Sequence, residues 1–253
     1  MHVADPPGSA RLLFVPNGQD HLDQELAALA WLAPHDLSPQ PIPSLPAPAD
    51  SAVEWDAPYG HADVTVWFEV PPGCPGDWPE IRVQPGAVVE AMGGALARLH
   101  ALAPSDGSST PELAVLGPAE LVAQAADRVR RGLVDPANFE RARAALAPGR
   151  LVDQAAALVP LLAKRAQQRP VPMVVTHGAA RPEAFWLDQG ELRALVGVAG
   201  LAWADPYRDL AAVSRWLVSE VSGEALPAFF EAYGLPHPDP VRLEFHVLLD
   251  ELR

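Results

Sequence analysis

An α+β fold is predicted, with a small strand-containing part over residues 1–70 and a larger, mostly helical part over residues 71–253. Two short apolar runs near the N-terminus, RLLFV at 11–15 and DVTVWFEV at 63–70, have the length and β-branched content of strands. Beyond residue 88, most of the chain repeats apolar residues at helical spacing. A single cluster of strand-like runs, from 173 to 200, interrupts those helices.

In chain order, the first strand ends at Pro16-Asn17-Gly18, a turn signal. From His21, apolar residues at 22, 26, 29 and 32 mark one face of a helix. Six prolines between 34 and 50 exclude helix there and predict an extended connector. The strand at 63–70 closes on PPGCPG. A helix over 88–102 carries the pair Gly93-Gly94, which implies close approach of a neighbour. Residues 118–131 are amphipathic, Asp135-Pro136 predicts a helix start, and 153–168 form a further helix. Strands then bracket the stretch VVTHGAARPEAFWLD (174–188), and Gln189-Gly190 is the expected hairpin turn. Helices over 206–221, 225–233 and 241–253 complete the chain, and no internal repeat is visible.

Composition narrows the function classes. The net charge of −14 and pI of 4.9 argue against a nucleic-acid partner, whose phosphates need a basic face. Hydrophobic content of 49% and a mean hydropathy of +0.05 fit a soluble globular protein. No apolar span is long enough to cross a membrane, and MHVADPPGSARLL lacks the features of a signal peptide, so a cytoplasmic location is expected. The lone Cys74 excludes an intrachain disulfide. Lys164 is the one lysine, beside 17 arginines, and it lies in a helix. Chemistry that needs a lysine on an N-terminal strand is therefore excluded.

The stretch HGAARPEAFWLD, followed by LVGVAGLAWADPYRDLA, resembles the aminoglycoside phosphotransferases, particularly the 3′-type. RLLFVPNG, LDQELAALAWL, WFEVPPG, ALARLHAL, RRGLVDPANFERA and FFEAYGLPHPDPVRLEFHVLLDEL match in the same order along nearly the whole chain. The resemblance implies a protein-kinase-like two-lobe fold, with a reduced N-terminal lobe over 1–70. The C-terminal lobe would span 71–253 and hold the catalytic loop at 174–200.

The departures are chemically severe. Where the resemblance implies a catalytic aspartate, the chain has Ala179. The implied magnesium-binding asparagine is Ala184, the second metal aspartate is Gly197, and the ATP lysine is Pro16. Phosphoryl transfer rests on positioning and on neutralising phosphate charge. Magnesium takes hard oxygen ligands, which alanine and glycine do not offer. Only 15 residues precede Pro16, and no glycine-rich loop appears among them. Glu25, normally the lysine's partner, is expected to face solvent.

Other positions keep their types. His177 and Asp209 are expected to support the loop structurally, and Asp205-Pro206 to start the following helix. Glu183, Arg181 and Asp188 are polar groups near the emptied positions. The resemblance also implies a cation-binding set of Glu220, Asp250, Glu251 and the carboxylate of Arg253, with Glu140 alone left from an acidic loop. The Arg253 guanidinium would either repel a polycation or pair with Glu251. Trp186 and Trp203 flank the loop and are candidates to fill space that nucleotide and metal would occupy.

These readings lead to the expectation of a catalytically inactive pseudokinase, not an enzyme, that binds neither ATP nor magnesium productively and holds no metal. It would act through an unknown protein partner or a small molecule, without nucleic acid or membrane. One alternative is an amino-sugar-like cationic ligand bound in the old substrate cleft. Another is a phosphotransferase rewired around Glu183 or Asp188.

Overall fold

A computed structural model describes residues 10–14, 19–39, 65–69, 74–75, 85–103, 111–168, 170 and 172–253. Strand β1 (Ala10–Phe14) pairs antiparallel with β2 (Thr65–Glu69), and helix α1 (Gln19–Leu32) lies between them in sequence. The proline-rich connector departs from its expected extended form at its start. Ala33–His35 forms a 3-10 turn, because Pro34 sits in the first helical positions, where its missing N–H costs nothing. Residues 40–50 lie outside the described residues, as does Pro16.

Helix α2 (Pro85–His100) packs along α6 (Leu226–Tyr233). Gly93 makes that approach possible: a Cβ there would lie 2.6 Å from the Phe229 carbonyl oxygen, whereas one at Gly94 would meet nothing. Helices α3 (Pro118–Arg130) and α4 (Pro148–Gln168) pack together, and α7 (Pro240–Glu251) lies against α4. Between α3 and α4 the expected helix is reduced to a 3-10 turn, Pro136–Asn138, capped by the Asp135 side chain on the Ala137 N–H.

The strand cluster is divided between two small sheets. One contains β3 (Cys74–Pro75), β6 (Phe185–Asp188) and β7 (Glu191–Leu195), all antiparallel. The β6–β7 hairpin turns on Gln189 and Gly190, with φ of 52° and 83°, as a two-residue turn with both central residues left-handed requires. The other sheet has the order β4 (Ala114–Leu116), β8 (Ala202–Ala204), β5 (Val174–Thr176). Strands β3, β4 and β8 escape the sequence reading because two or three residues are too few to show a period. Helix α5 (Tyr207–Trp216) leaves this sheet and continues into a π-helical turn, Leu217–Val221.

The core has two parts. The larger joins α1, α2, α5 and α6 to the strands, with Phe185 and Phe229 fully buried; each such ring contributes roughly 1.5–3 kcal/mol. The second joins α3, α4 and α7 around Leu151, Phe245 and Leu252. Among the described residues, no helix is long and apolar enough to cross a membrane.

Candidate functional site

The 177–184 loop begins where β5 ends, and it is tied down from below by one carboxylate. Asp209, in the first turn of α5, accepts from the His177 N–H at 2.6 Å and the Gly178 N–H at 2.8 Å. His100, from α2, contacts the same carboxylate at 3.0 Å through Nε2, and its Nδ1 lies 2.8 Å from the Tyr233 hydroxyl. Asp209 is fully buried. Burial alone would push its carboxyl up, but the His100 hydrogen bond and the nearby Arg208 guanidinium hold it well below the ordinary range.

His177 is also fully buried, and its ring roles follow from its partners. Nε2 lies 3.0 Å from the Val196 carbonyl oxygen and must donate; Nδ1 therefore accepts from the Ala179 N–H at 3.3 Å. That is the neutral imidazole, and burial pushes its pKa down accordingly. Gly178 has φ +87°, and a Cβ there would lie 2.4 Å from the Gly200 carbonyl oxygen and 2.7 Å from an Arg208 guanidinium nitrogen. Only glycine fits that position. Arg208 lies beneath the loop, donating to Thr176 Oγ1 at 2.9 Å and to the Gly200 carbonyl at 3.1 Å. Burial lowers its pKa to about 10, with Arg253 adding to the effect.

The three described positions where the resemblance implies catalytic or metal-binding side chains are alanine or glycine. Ala179 is exposed, Ala184 is buried with its backbone bonded to Arg181 and Val196, and Gly197 is exposed with φ +71° and open space around it. None offers a side-chain oxygen to a metal. Among the described residues, no group of three or more His, Cys, Asp or Glu could hold a metal ion. Magnesium, which the resemblance implies, thus finds no side-chain ligand at 184 or 197.

Glu25 departs from expectation. It is buried, not solvated, and its two carboxylate oxygens accept from the N–H groups of Gly197 (3.0 Å) and Ala199 (2.5 Å). It caps the 3-10 turn Val198–Gly200 from across the structure. With no lysine in reach along the chain, the orphan N–H donors at that turn are the partners a buried carboxylate can use. Burial raises its pKa above the ordinary value, opposed by those N–H donors.

The acidic positions of α7 are held by arginines. Asp250 is paired with Arg215. Glu251, with no exposed surface, accepts from Arg143 Nε at 2.9 Å, and Arg143 also reaches Glu140 (3.1 Å) and Glu244 (3.3 Å). Burial raises the Glu251 pKa against the pull of Arg143. Arg253 lies 3.8 Å from Asp250, not against Glu251. Glu220 is exposed on the π-helical turn, and Glu183 is exposed on the turn Pro182–Ala184. Asp188 pairs with Arg193 at 3.1 Å. Asp205 caps the Tyr207 N–H at 3.0 Å and pairs with Arg242. Trp186 is buried within β6, and Trp203 is half-buried against the larger core.

A buried aspartate that clamps a His-Gly turn, beneath a small strand cluster flanked by helices, defines a protein-kinase-like phosphotransferase fold. The model of the phosphotransferase enzyme family matches residues 2–246. An aminoglycoside 3′-phosphotransferase from Streptomyces ribosidificus is 33% identical, over 93% of this chain and 82% of the relative. One from Escherichia coli is 26% identical over 95% and 81%. Among solved structures, the aminoglycoside phosphotransferase APH(3'')-Id of Streptomyces rimosus, in complex with ADP and streptomycin, superimposes with a TM-score of 0.69. It has 25% identity and covers 97% of this chain and 87% of its own. An aminoglycoside-3′-phosphotransferase of type VIII gives 0.68 at 27% identity, covering 96% and 84%. The chain belongs to the aminoglycoside phosphotransferase family.

These relatives overturn one expectation. They are enzymes, and they match over most of the chain at 26–33% identity, so the family points to an enzyme where the stripped loop had suggested a protein without catalysis.

Proposed function

We propose that the protein is a phosphotransferase of the aminoglycoside type in which transfer rests on positioning, without the usual catalytic carboxylate and without magnesium ligands from positions 184 and 197. The observation that carries this reading is the loop frame. Asp209, His177 and Glu25 hold the backbone at 177–179 and 196–199 through buried and part-buried hydrogen bonds, and His100 holds the Asp209 carboxylate. A fixed acceptor site accelerates transfer by orientation alone, which is a large part of any such barrier. Any magnesium would arrive on the nucleotide and be held by its phosphates, not by the chain. Glu183, the single carboxylate within 177–184, is the nearest candidate to take the acceptor's proton. In this reading the smaller lobe ends near residue 70, and the larger one carries the acceptor cleft.

Transfer of labelled phosphate from ATP to a panel of aminoglycosides and other hydroxylated acceptors tests the proposal. The expected rate is at least about 10²-fold below the 1–100 per second common for kinases, because one catalytic group alone is commonly worth that much. Glu183→Gln should lower it further. Complete lack of transfer to every acceptor overturns the reading, and so does a full kinase rate.

A further inference from the structure

Two helices end side by side next to Asp209. His100 is the last residue of α2, and Tyr233 is the last of α6. Gly234, with φ +88°, stops α6 there, and the Leu235 N–H returns to the Phe230 carbonyl at 2.8 Å. Gly93 lies about two turns before His100 on the same face of α2. A Cβ at 93 would also lie 3.0 Å from the Ala232 Cβ and 3.1 Å from the Tyr233 nitrogen, so the missing side chain sets how closely Tyr233 approaches α2. The Tyr233 hydroxyl stands 2.8 Å from His100 Nδ1, and the two rings meet edge to face with centroids 5.5 Å apart.

The direction of each hydrogen bond follows from its partners. A carboxylate only accepts, so His100 Nε2, 3.0 Å from Asp209, carries a proton and donates. In the neutral ring Nδ1 is then an acceptor, and the Tyr233 O–H donates to it. His100 is buried, and a buried ring nitrogen that loses its donor costs stability unless the ring moves to find another. The hydroxyl therefore fixes the tilt of the ring that supports Asp209, and Asp209 takes the His177 and Gly178 N–H groups. His177 needs no such support, because both of its ring nitrogens have backbone partners, at Val196 and Ala179.

We propose that Tyr233 is a positioning residue for the 177–184 loop: its hydroxyl, brought in by the close α2–α6 packing at Gly93, holds His100 in the orientation that lets Asp209 clamp the His177 and Gly178 N–H groups. It acts through His100 and Asp209, not on a substrate. The proposal deepens the phosphotransferase reading, on which its effect on rate rests, by carrying the support of the loop past Asp209 to the end of α6.

Nitrogen and amide-proton NMR of the protein without substrate tests it, with Tyr233→Phe, His100→Gln and the two combined. Tyr233→Phe keeps the ring and its packing, and circular dichroism shows that each variant is folded. Wild-type His100 should show a protonated Nε2 and a bare, hydrogen-bonded Nδ1. In Tyr233→Phe the Nδ1 signal should move toward that of a nitrogen without a donor. The His177 and Gly178 amide protons should move upfield as their bonds to Asp209 lengthen, a change that a loss of stability alone does not produce. His100→Gln keeps an N–H donor for Asp209 but has no ring nitrogen for the hydroxyl, so Tyr233→Phe should add no further movement in that background. Loop amide signals that stay in place in folded Tyr233→Phe, or that move equally in both backgrounds, overturn the proposal. In the transfer assay, Tyr233→Phe should lower kcat about tenfold, the weight of one hydrogen bond, with KM for ATP unchanged. An unchanged kcat overturns the effect on rate. The spectra need no substrate, so their failure leaves the phosphotransferase reading standing, and absence of transfer leaves the spectra to decide the positioning alone.

Discussion

Beneath the 177–184 loop, a single buried carboxylate, Asp209, takes hydrogen bonds from two backbone N–H groups and a histidine. On the other side of the same loop stand Ala179 and Ala184, with Gly197 at the neighbouring turn, and none of these three offers a polar side chain. The two layers are under different physical constraints. A group in the lower layer cannot be removed without leaving buried donors unpaired, which costs stability whatever the protein does. In the upper layer Ala179 and Gly197 are exposed, so no buried donor depends on a side chain there, although Ala184 is buried. The contrast explains how the loop's shape can be independent of the side chains at 179 and 197.

The largest expected effect lies in the lower layer. Asp209→Ala leaves two N–H groups and His100 without their acceptor, and should cost about 3–5 kcal/mol. Thermal melting should fall by roughly 10 °C at neutral pH. The pH dependence has a definite sign. The folded-state pKa of Asp209 is depressed, so its contribution is complete above the ordinary carboxylate value and is lost as pH falls below about 4. Wild type should therefore lose stability in that window more steeply than the variant. Equal slopes would show that the clamp is not what holds the loop.

Glu25 is intermediate, because it spans the two layers by holding the turn next to Gly197. Glu25→Gln keeps one acceptor oxygen and turns an amide N–H group toward the other donor, and should cost about 1–2 kcal/mol. Hydrogen exchange at the Gly197 or Ala199 amide should quicken while His177 stays protected. The raised pKa of Glu25 has the opposite sign to that of Asp209. Its folded form holds the proton more tightly, so this group's contribution weakens as pH rises from about 4.5 through the folded-state value, and the glutamine variant should not show that decline. The smallest effect belongs to the upper layer: Ala179→Asp, at an exposed position, should shift stability by no more than about 0.5 kcal/mol. A larger loss would mean that the cleft side is also structurally committed.

Much of the fold was legible because its helices are long and periodic, and because Gln189-Gly190 is a strong turn signal between two apolar runs. Asp209 and His177 stood out through the motifs that contain them. What stayed hidden was pairing across long sequence separation. Arg143 meets Glu251 across a sequence separation of 108 and Glu25 meets Ala199 across one of 174, and no local pattern announces either. The excess of arginine over lysine was the available hint, since guanidinium is the side chain suited to buried ion pairs. Glu25 was misplaced because its fate was inferred from the partner it lacks, without asking which N–H donors a turn would leave open.

The most direct test of a framed but metal-poor loop is Mn²⁺ binding, followed by electron paramagnetic resonance in the presence of ADP, for wild type and for Ala184→Asn combined with Gly197→Asp. Wild type should bind no more Mn²⁺ than the nucleotide alone accounts for, whereas the double variant, checked by circular dichroism to be folded, should gain a protein-held ion on the oxygen side chains at 184 and 197. Stoichiometric Mn²⁺ held by the wild-type chain would contradict the account.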